Sequence, residues 1–258
     1  MIKLDLKNIA EELIGSFLEA GKIAKEISER GVKITIKSDN TPVTDGDLAV
    51  DDILTNKIKK LTPNINIISE ETVNVNVDNK SDNFWLIDPI DGTREYIQKK
   101  DEYTLNAALI IKKKPVIGVI FAPAKNRLFY SYGNNFAFEI NNGERKKLNG
   151  KKKNIAEIIG LKHSGITAFE VSSIYKKHNV SQILQMASSL KFCILAAGEA
   201  DIYAANARAS EWDIAAGHAI LEHSGGSITD HNKKKILYGK KKFKNLPIIA
   251  KRCFSLEK

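Results

Sequence analysis

The middle of the chain carries four segments rich in β-branched and aromatic residues, and this feature limits the possible fold most strongly. Short turn-like sequences separate the four segments, which are Thr104–Ile111, Val116–Phe121, Arg127–Ser131 and Phe136–Ile140. Strands joined by short turns pair with their neighbours in opposite directions. We therefore predict an antiparallel meander.

Two helices are predicted before the meander. Asp5 and Gly31 bracket apolar residues spaced at the helical period, which indicates a long amphipathic helix with an N-cap and a terminating glycine. Thr44 can cap a second helix, with Asp47 in the position of a capping-box acid. Two short apolar runs are predicted to be buried strands: Ile65–Ser69 and Phe84–Asp88.

Beyond the meander, a polar stretch over Asn141–Asn154 is predicted to separate two halves. Helices and strands then alternate: helices over Ser173–Asn179, Ser188–Ala197 and Trp212–His223, and strands over Asp201–Ala205, Ser227–Thr229 and Leu246–Ala250. We predict an α+β half over 1–145 and an α/β half over 146–258, packed closely enough to count as one domain.

Composition excludes several classes of protein. With 43% hydrophobic residues the chain can build a core, and no run approaches the roughly 18 apolar residues of a membrane helix. The amphipathic N-terminus does not resemble a signal peptide, and two cysteines, Cys193 and Cys253, are too few for a disulfide scaffold. We predict a cytoplasmic protein with reduced thiols. The net charge of +9 comes mostly from Lys, and with 7% aromatic residues it does not favour specific nucleic-acid binding.

The segment after the strand Phe84–Asp88 carries two acids. Pro89 disfavours a helical conformation at Asp88, so Asp88 should lie at the extended strand end, and a turn should bring Asp91 to the same side. Carboxylate oxygens and the Ile90 carbonyl are hard donors that suit Mg²⁺. The alternative is that both acids only cap a turn.

The next two residues extend this site. Gly92 permits close approach of a ligand to the backbone, and Thr93 is predicted to cap a following helix. Free N–H groups at a helix start favour phosphate. The segment thus combines candidate metal donors with a candidate phosphate site.

Three further acidic positions lie in similar contexts. Glu70 and Glu71 follow a predicted strand, and Asp213 lies at the start of a predicted helix. An acid at a helix start, such as Asp213 or Asp47, is also explained by the helix dipole or by capping. Spacing alone does not show that these acids converge.

Four ordered motifs resemble the inositol monophosphatase superfamily of Mg²⁺-dependent, lithium-sensitive phosphomonoesterases. They are T-P-V-T-x-x-D (Thr41–Asp47), S-E-E (Ser69–Glu71), W-L-I-D-P-I-D-G-T (Trp85–Thr93) and W-D-I-A-A-G (Trp212–Gly217). The resemblance covers nearly the whole chain and implies a layered α/β/α/β/α sandwich of the α+β class. Within the superfamily, D-P-I-D-G-T-R-E-Y-I is more similar to the 3′(2′),5′-bisphosphate nucleotidases than to the inositol phosphatases. The T-L-N-A-A-L-I run from Thr104 and the S-S-L-K-F-C run from Ser188 also resemble the bacterial CysQ-type nucleotidases.

The resemblance implies a role for each motif. It implies about two or three Mg²⁺ ions per active site. Their ligands would be Glu70, Asp88, the Ile90 carbonyl, Asp91 and Asp213. Glu70 and Thr93 would orient and deprotonate the attacking water, with Asp47 as the partner of the Thr93 hydroxyl. Substrate contacts would come from Glu70, Ile90, Asp91, Gly92, Thr93, Ser188, Lys191 and Asp213.

The implied substrate is adenosine 3′,5′-bisphosphate, hydrolysed to AMP and phosphate in sulfur metabolism. Lys191 lies in the first turn of a predicted helix, where a cation opposes the dipole, and binding of the 5′-phosphate would explain it. The alternatives are a solvent-facing lysine and, for Ser188, a simple N-cap. The chain departs from the nucleotidases by lacking Pro-Arg after Tyr203, where Arg208 is a candidate replacement, and by Ala187 in place of glycine.

The competing hypotheses are an inositol or other sugar-phosphate phosphatase and, from another class, a basic nucleic-acid-binding module. The partner predicted by the favoured hypothesis is a small anionic nucleotide, with no specific nucleic acid and no transmembrane segment. The sequence leaves open whether the protein is a monomer or a homodimer. The resemblance also leaves open a peripheral contact with the inner face of the cell inner membrane.

Overall fold

The structure is a computed structural model that describes residues 4–37, 40–75, 79, 81–150, 157–163, 165 and 167–253. Its helices are α1 (Leu6–Arg30), α2 (Asp45–Leu61), α3 (Thr93–Ile97), α4 (Phe169–Lys177), α5 (Leu190–Ala197) and α6 (Trp212–His223). The strands of the first half are β1 (Ile34–Ile36), β2 (Pro42–Thr44), β3 (Asn66–Ser69), β4 (Phe84–Asp91), β5 (Thr104–Ile111), β6 (Lys114–Ala122), β7 (Arg127–Ser131), β8 (Ala137–Asn141) and β9 (Glu144–Lys147). Those of the second half are β10 (Ile159–Lys162), β11 (Gln182–Gln185), β12 (Ile202–Ala205), β13 (Ser227–Asp230) and β14 (Ile248–Lys251).

The two predicted N-terminal helices are confirmed. Asp5 accepts a hydrogen bond from the Asn8 N–H at 3.0 Å, and Gly31 ends α1 at a φ of 95°. Thr44 and Asp47 form the capping box of α2. Both helices bury their apolar faces against one side of a large sheet, and each fully buried Leu or Phe there stabilises the fold by about 1.5–3 kcal/mol.

The large sheet has the order β3-β4-β5-β6-β7-β8-β9. Its strands from β4 to β9 pair antiparallel, as the meander predicted, while β3 pairs parallel to β4. The prediction of a separating polar stretch over Asn141–Asn154 is wrong in part, because β9 extends the sheet there by pairing with β8. Residues 151–154 lie outside the described residues.

The second sheet has the order β11-β10-β12-β14-β13. Strands β10 and β11 were not predicted, and helix α4 begins four residues before its predicted start at Ser173. Both sheets contribute to one apolar core around α5 and α6, and α4 packs on the outer side of the second sheet. The layers therefore follow the order helices, large sheet, helices, small sheet, helix, which confirms the predicted α/β/α/β/α sandwich.

No helix within the described ranges is both long enough and apolar enough to span a bilayer. The predicted division at residue 145 stays a prediction, and strand β9 runs across it.

Candidate active site

Three carboxylates from separate elements meet at one end of the large sheet. Strands β3 and β4 are parallel, with Ser69 opposite Ile87, so Glu70 follows β3 directly beside Asp88 of β4. The Glu70 N–H donates to the Ile87 carbonyl at 3.1 Å. Asp213, the second residue of α6, completes the cluster, and ligand oxygens of Glu70, Asp88 and Asp213 lie within 4.8 Å of one another.

Asp88 occupies the most buried position of this cluster. Asp88 is 1% exposed, and neither of its carboxylate oxygens has a hydrogen-bond partner among the described residues. Burial, with added repulsion from Glu70, raises the pKa of Asp88 well above its usual range. A buried acceptor without a donor is costly, so this side chain requires a cation or a proton.

The neighbouring acids experience the same environment. Burial and the charge of Asp213 raise the pKa of Glu70 to about 8 and that of Asp91 to about 7. Burial also raises the pKa of Asp213, although the Ser210 N–H donates to its Oδ2 at 2.8 Å. The donor set consists of hard carboxylate oxygens, which suit a divalent cation such as Mg²⁺ better than a soft metal. The residues present therefore fit a divalent cation.

Asp91 and Ile90 lie next to this cluster. Strand β4 continues through Asp91 with an irregular register after Asp88, so the chain turns later than predicted. Asp91 lines the adjoining cavity. The Ile90 carbonyl accepts a hydrogen bond from Thr93 Oγ1 at 3.1 Å.

The start of α3 corrects one prediction. Thr93 is not the cap, because α3 already begins at Thr93 and Gly92 precedes it in the left-handed conformation at a φ of 93°. A Cβ on Gly92 would lie 3.2 Å from the Glu102 carbonyl oxygen, so the turn also requires the absence of a side chain. The Thr93 hydroxyl is thereby free to point at the Ile90 carbonyl and at Asp47.

Asp47 serves two neighbours at once. Its Oδ2 accepts the Thr44 N–H at 2.8 Å and the Thr44 hydroxyl at 2.6 Å, while its Oδ1 lies 3.4 Å from Thr93 Oγ1. Burial raises the pKa of Asp47, opposed by the bonds from Thr44. The capping-box acid of α2 is therefore also in contact with the candidate catalytic threonine.

Lys37 is a further charged residue of the site, and no sequence motif predicted its place there. Its Nζ lies 2.7 Å from Glu71 Oε2 and 4.0 Å from Glu70 Oε1. Burial acts to lower the pKa of Lys37, but the hydrogen bond and charge of Glu71 raise it overall. Lys37 therefore pairs mainly with Glu71, and its contact with Glu70, which belongs to the cluster, is longer.

The entry to α5 also differs from its prediction. The helix begins at Leu190 rather than at Ser188, because Ser188 adopts a left-handed φ of 53°. This conformation directs the Ser188 carbonyl to the Lys191 ammonium, which also donates to the Met186 carbonyl at 3.3 Å. Lys191 is 4% exposed, so the alternative of a solvent-facing lysine is wrong. Burial lowers the pKa of Lys191 to about 8, although Asp91 opposes the effect.

A cavity adjoins the carboxylates and collects residues of both halves. Its lining includes four residues predicted from sequence to serve the site: Asp91, Ser188, Lys191 and Asp213. Arg208, the candidate replacement cation, lines it as well. His163 and Tyr203 also line it and were missed. His163 directly follows strand β10, which was not predicted. A correct prediction of that strand would have placed His163 at a strand end, where the other site residues of the large sheet lie.

The chain resembles known proteins along most of its length. The chain matches the inositol monophosphatase family over residues 5–252. It is 36% identical over 203 residues to the 3′(2′),5′-bisphosphate nucleotidase CysQ of Buchnera aphidicola subsp. Acyrthosiphon pisum, a match that covers 78% of this chain and 76% of the relative. The CysQ nucleotidase of Escherichia coli O6:H1 is 34% identical over 207 residues, which cover 80% of this chain and 82% of that relative.

A solved structure is also similar. The crystal structure of CysQ from Bacteroides thetaiotaomicron superposes with a TM-score of 0.78 at 25% identity, covering 96% of this chain and 98% of the other. The Bacteroides protein is a bacterial member of the inositol monophosphatase family. Because the family match spans residues 5–252 and the CysQ relatives exceed 30% identity over most of both chains, this chain belongs to the inositol monophosphatase family.

Proposed function

We propose that the protein is a Mg²⁺-dependent 3′(2′),5′-bisphosphate nucleotidase that hydrolyses adenosine 3′,5′-bisphosphate to AMP and phosphate. One observation carries the proposal: a cluster of three carboxylates opens on a cavity lined by the cations Lys191 and Arg208. Carboxylates alone repel phosphate, so the combination suits a phosphate ester only with a divalent cation present. The CysQ relatives bear the same activity in their names.

The candidate metal donors are Glu70, Asp88, the Ile90 carbonyl, Asp91 and Asp213. When bound there, divalent cations supply positive charge that stabilises the attacking and leaving oxygens of an in-line displacement. The unpartnered oxygens of Asp88 support this assignment. A cation bound to them would satisfy two buried acceptor atoms that have no hydrogen-bond partner among the described residues.

Thr93 and Asp47 are proposed to position the attacking water. If the Thr93 hydroxyl donates its proton to Asp47 Oδ1, at 3.4 Å, its lone pairs accept a hydrogen bond from the water and orient it. Glu70 then takes the proton of that water at a carboxylate oxygen. Asp47 stays in place because Thr44 holds its other oxygen by two hydrogen bonds.

The phosphate groups of the substrate are assigned to two regions. The Gly92 and Thr93 N–H groups are proposed to contact the 3′-phosphate that is hydrolysed, beside the carboxylates. Lys191 and Ser188 are proposed to hold the 5′-phosphate that remains, with Arg208 as a further cation in the same cavity. The buried Lys191 ammonium supports this role. A positive charge in the first turn of a helix interacts unfavourably with the helix dipole, so helix stability does not explain a lysine there.

The experiment compares phosphate release from adenosine 3′,5′-bisphosphate and from inositol 1-phosphate, each with Mg²⁺ and with a chelator. We expect faster turnover of the bisphosphate and no turnover in chelator. Faster cleavage of inositol 1-phosphate overturns the substrate assignment. Asp88→Asn is the control variant, and appreciable turnover by it contradicts the site assignment.

Other properties are proposed on the same basis. We infer inhibition by lithium, a cytoplasmic location and a place in sulfur metabolism from the family resemblance. We also propose that the protein's partner is a small anionic nucleotide and that it binds no specific nucleic acid.

A further inference from the structure

A C-terminal segment, Gly239–Leu246, crosses the loop that precedes α6; we call it the strap. Its first residues are held by the Glu211 carboxylate, which is fully buried. That carboxylate accepts the Gly239 N–H at 2.8 Å and the Lys240 N–H at 2.9 Å, and the Lys240 ammonium lies 2.6 Å away. A buried charge satisfied by three donors fixes the position of the backbone that supplies them.

The second half of the strap is held by the same loop. The Asn245 side-chain amide donates to the Ser210 carbonyl at 2.6 Å, and the Asn245 N–H donates to the Ala209 carbonyl at 3.0 Å. The Ser210 N–H in turn donates to Asp213. The strap is therefore attached to the loop that carries Arg208 and leads to Asp213.

Leu246 comes directly after these bonds and lines the cavity together with Lys191 and Asp213. It is 52% exposed although it stands beside buried, charged side chains. The cavity measures about 190 Å³, below the roughly 300–1,000 Å³ of sites that enclose a drug-sized ligand. A nucleotide whose phosphate and sugar fill this volume must place its base at the rim, where Leu246 offers apolar surface.

We propose that Leu246 is a specificity-determining residue that contacts the face of the nucleobase and favours nucleotides over phosphate esters without a base. The inference rests on the proposed function and adds a recognition element to it. The bonds that hold the strap make the contact effective, because the backbone that carries Leu246 needs little further ordering when the base binds.

The experiment measures kcat and KM of Leu246→Ala on adenosine 3′,5′-bisphosphate and on glycerol 2-phosphate, a secondary phosphate ester without a base. We expect the KM for the nucleotide to rise about five- to tenfold with kcat unchanged, because the lost contact is equal in the ground and transition states. The kinetics of glycerol 2-phosphate should not change. Leu246→Met retains apolar volume and should stay within about twofold of wild type.

Leu237→Ala is the matched control, since Leu237 is 46% exposed on the same part of the chain and is not part of the cavity lining described above. An unchanged nucleotide KM in Leu246→Ala, an equal loss on both substrates, or the same rise in Leu237→Ala overturns the inference. If wild-type protein releases no phosphate from the bisphosphate, the proposed function fails and this inference with it. If wild type hydrolyses the bisphosphate and Leu246→Ala has the same KM for it, only this inference is refuted.

Discussion

Replacing Asp88 by Asn should abolish activity and, when divalent cations are absent, stabilise the protein. Asp88 is 1% exposed and both of its oxygens lack a partner, so its carboxylate gains nothing from the protein alone. The stability of the wild-type protein in chelator must therefore include the cost of a buried carboxyl group among like charges. Asn keeps the shape of the side chain and removes the charge.

The expected gain can be estimated from the geometry. The ligand oxygens of the cluster lie no more than 4.8 Å apart, and at that separation two carboxylates repel by about 3–4 kcal/mol at an effective dielectric constant of about 20. Raised pKa values relieve part of this repulsion, because Asp88 and Glu70 hold protons more strongly than free carboxyl groups do. We expect the free energy of unfolding in chelator to rise by about 2–3 kcal/mol, which shifts a urea midpoint by about 1 M.

The assay is urea unfolding of wild type and Asp88→Asn in chelator and again in excess Mg²⁺. Wild type should gain about 3 kcal/mol at a Mg²⁺ concentration 100 times its dissociation constant, whereas the variant should gain little. Asp52→Asn is the control, because Asp52 is exposed on α2 outside the cluster and its removal should change stability by less than about 0.5 kcal/mol. A variant less stable than wild type in chelator, or one with the full Mg²⁺ gain, refutes the reasoning.

Three further predictions concern other positions. Lys191→Ala should raise the KM for the bisphosphate about tenfold or more and spare small phosphate esters in steady-state assays; an equal effect on both removes its proposed role. Ser188→Gly should stabilise the fold by about 1 kcal/mol in thermal unfolding, because glycine adopts the φ of 53° without strain, and a lower Tm contradicts this. Burial lowers the pKa of His223 to about 4 from 6.5, so as pH falls through this window the unfolded chain binds a proton that the fold excludes. The acids of the site, whose pKa values are raised, act in the opposite direction, so the expected loss of about 3 kcal/mol in the free energy of unfolding is the difference between wild type and His223→Gln. Urea unfolding at pH 7 and pH 4 tests this, and a His223→Gln variant with the same drop rules it out.

Local sequence signals predicted the elements whose stability is local. Helix α1 has a cap, an apolar period and a terminal glycine, and its observed bounds agree with them. Helix α6 has the predicted bounds Trp212–His223. The meander was likewise predictable because each strand contacts its neighbour in sequence through a short turn.

The failures occurred where tertiary contacts decide the conformation. Strand β11, Gln182–Gln185, is exposed along its whole length and does not alternate apolar with polar residues, so only pairing with β10 makes it a strand. The same holds for the left-handed Ser188, since the sequence gives no reason for a serine there to adopt a positive φ. Its carbonyl bond to Lys191 supplies that reason.

The candidate site could not be predicted from local patterns alone, because tertiary contacts bring its residues together. The motif order indicated which acids to compare with a known family, but spacing alone did not show that they meet. Two tertiary features bring them together: the parallel pairing of β3 with β4, which places Glu70 beside Asp88, and the close approach of α6 to the large sheet. That approach depends on Gly118 of β6, where a Cβ would lie 2.3 Å from the Ala216 carbonyl oxygen. Because α6 carries Asp213 in its first turn, a side chain at Gly118 would displace that acid from the other two, so a residue without any functional group takes part in assembling the site.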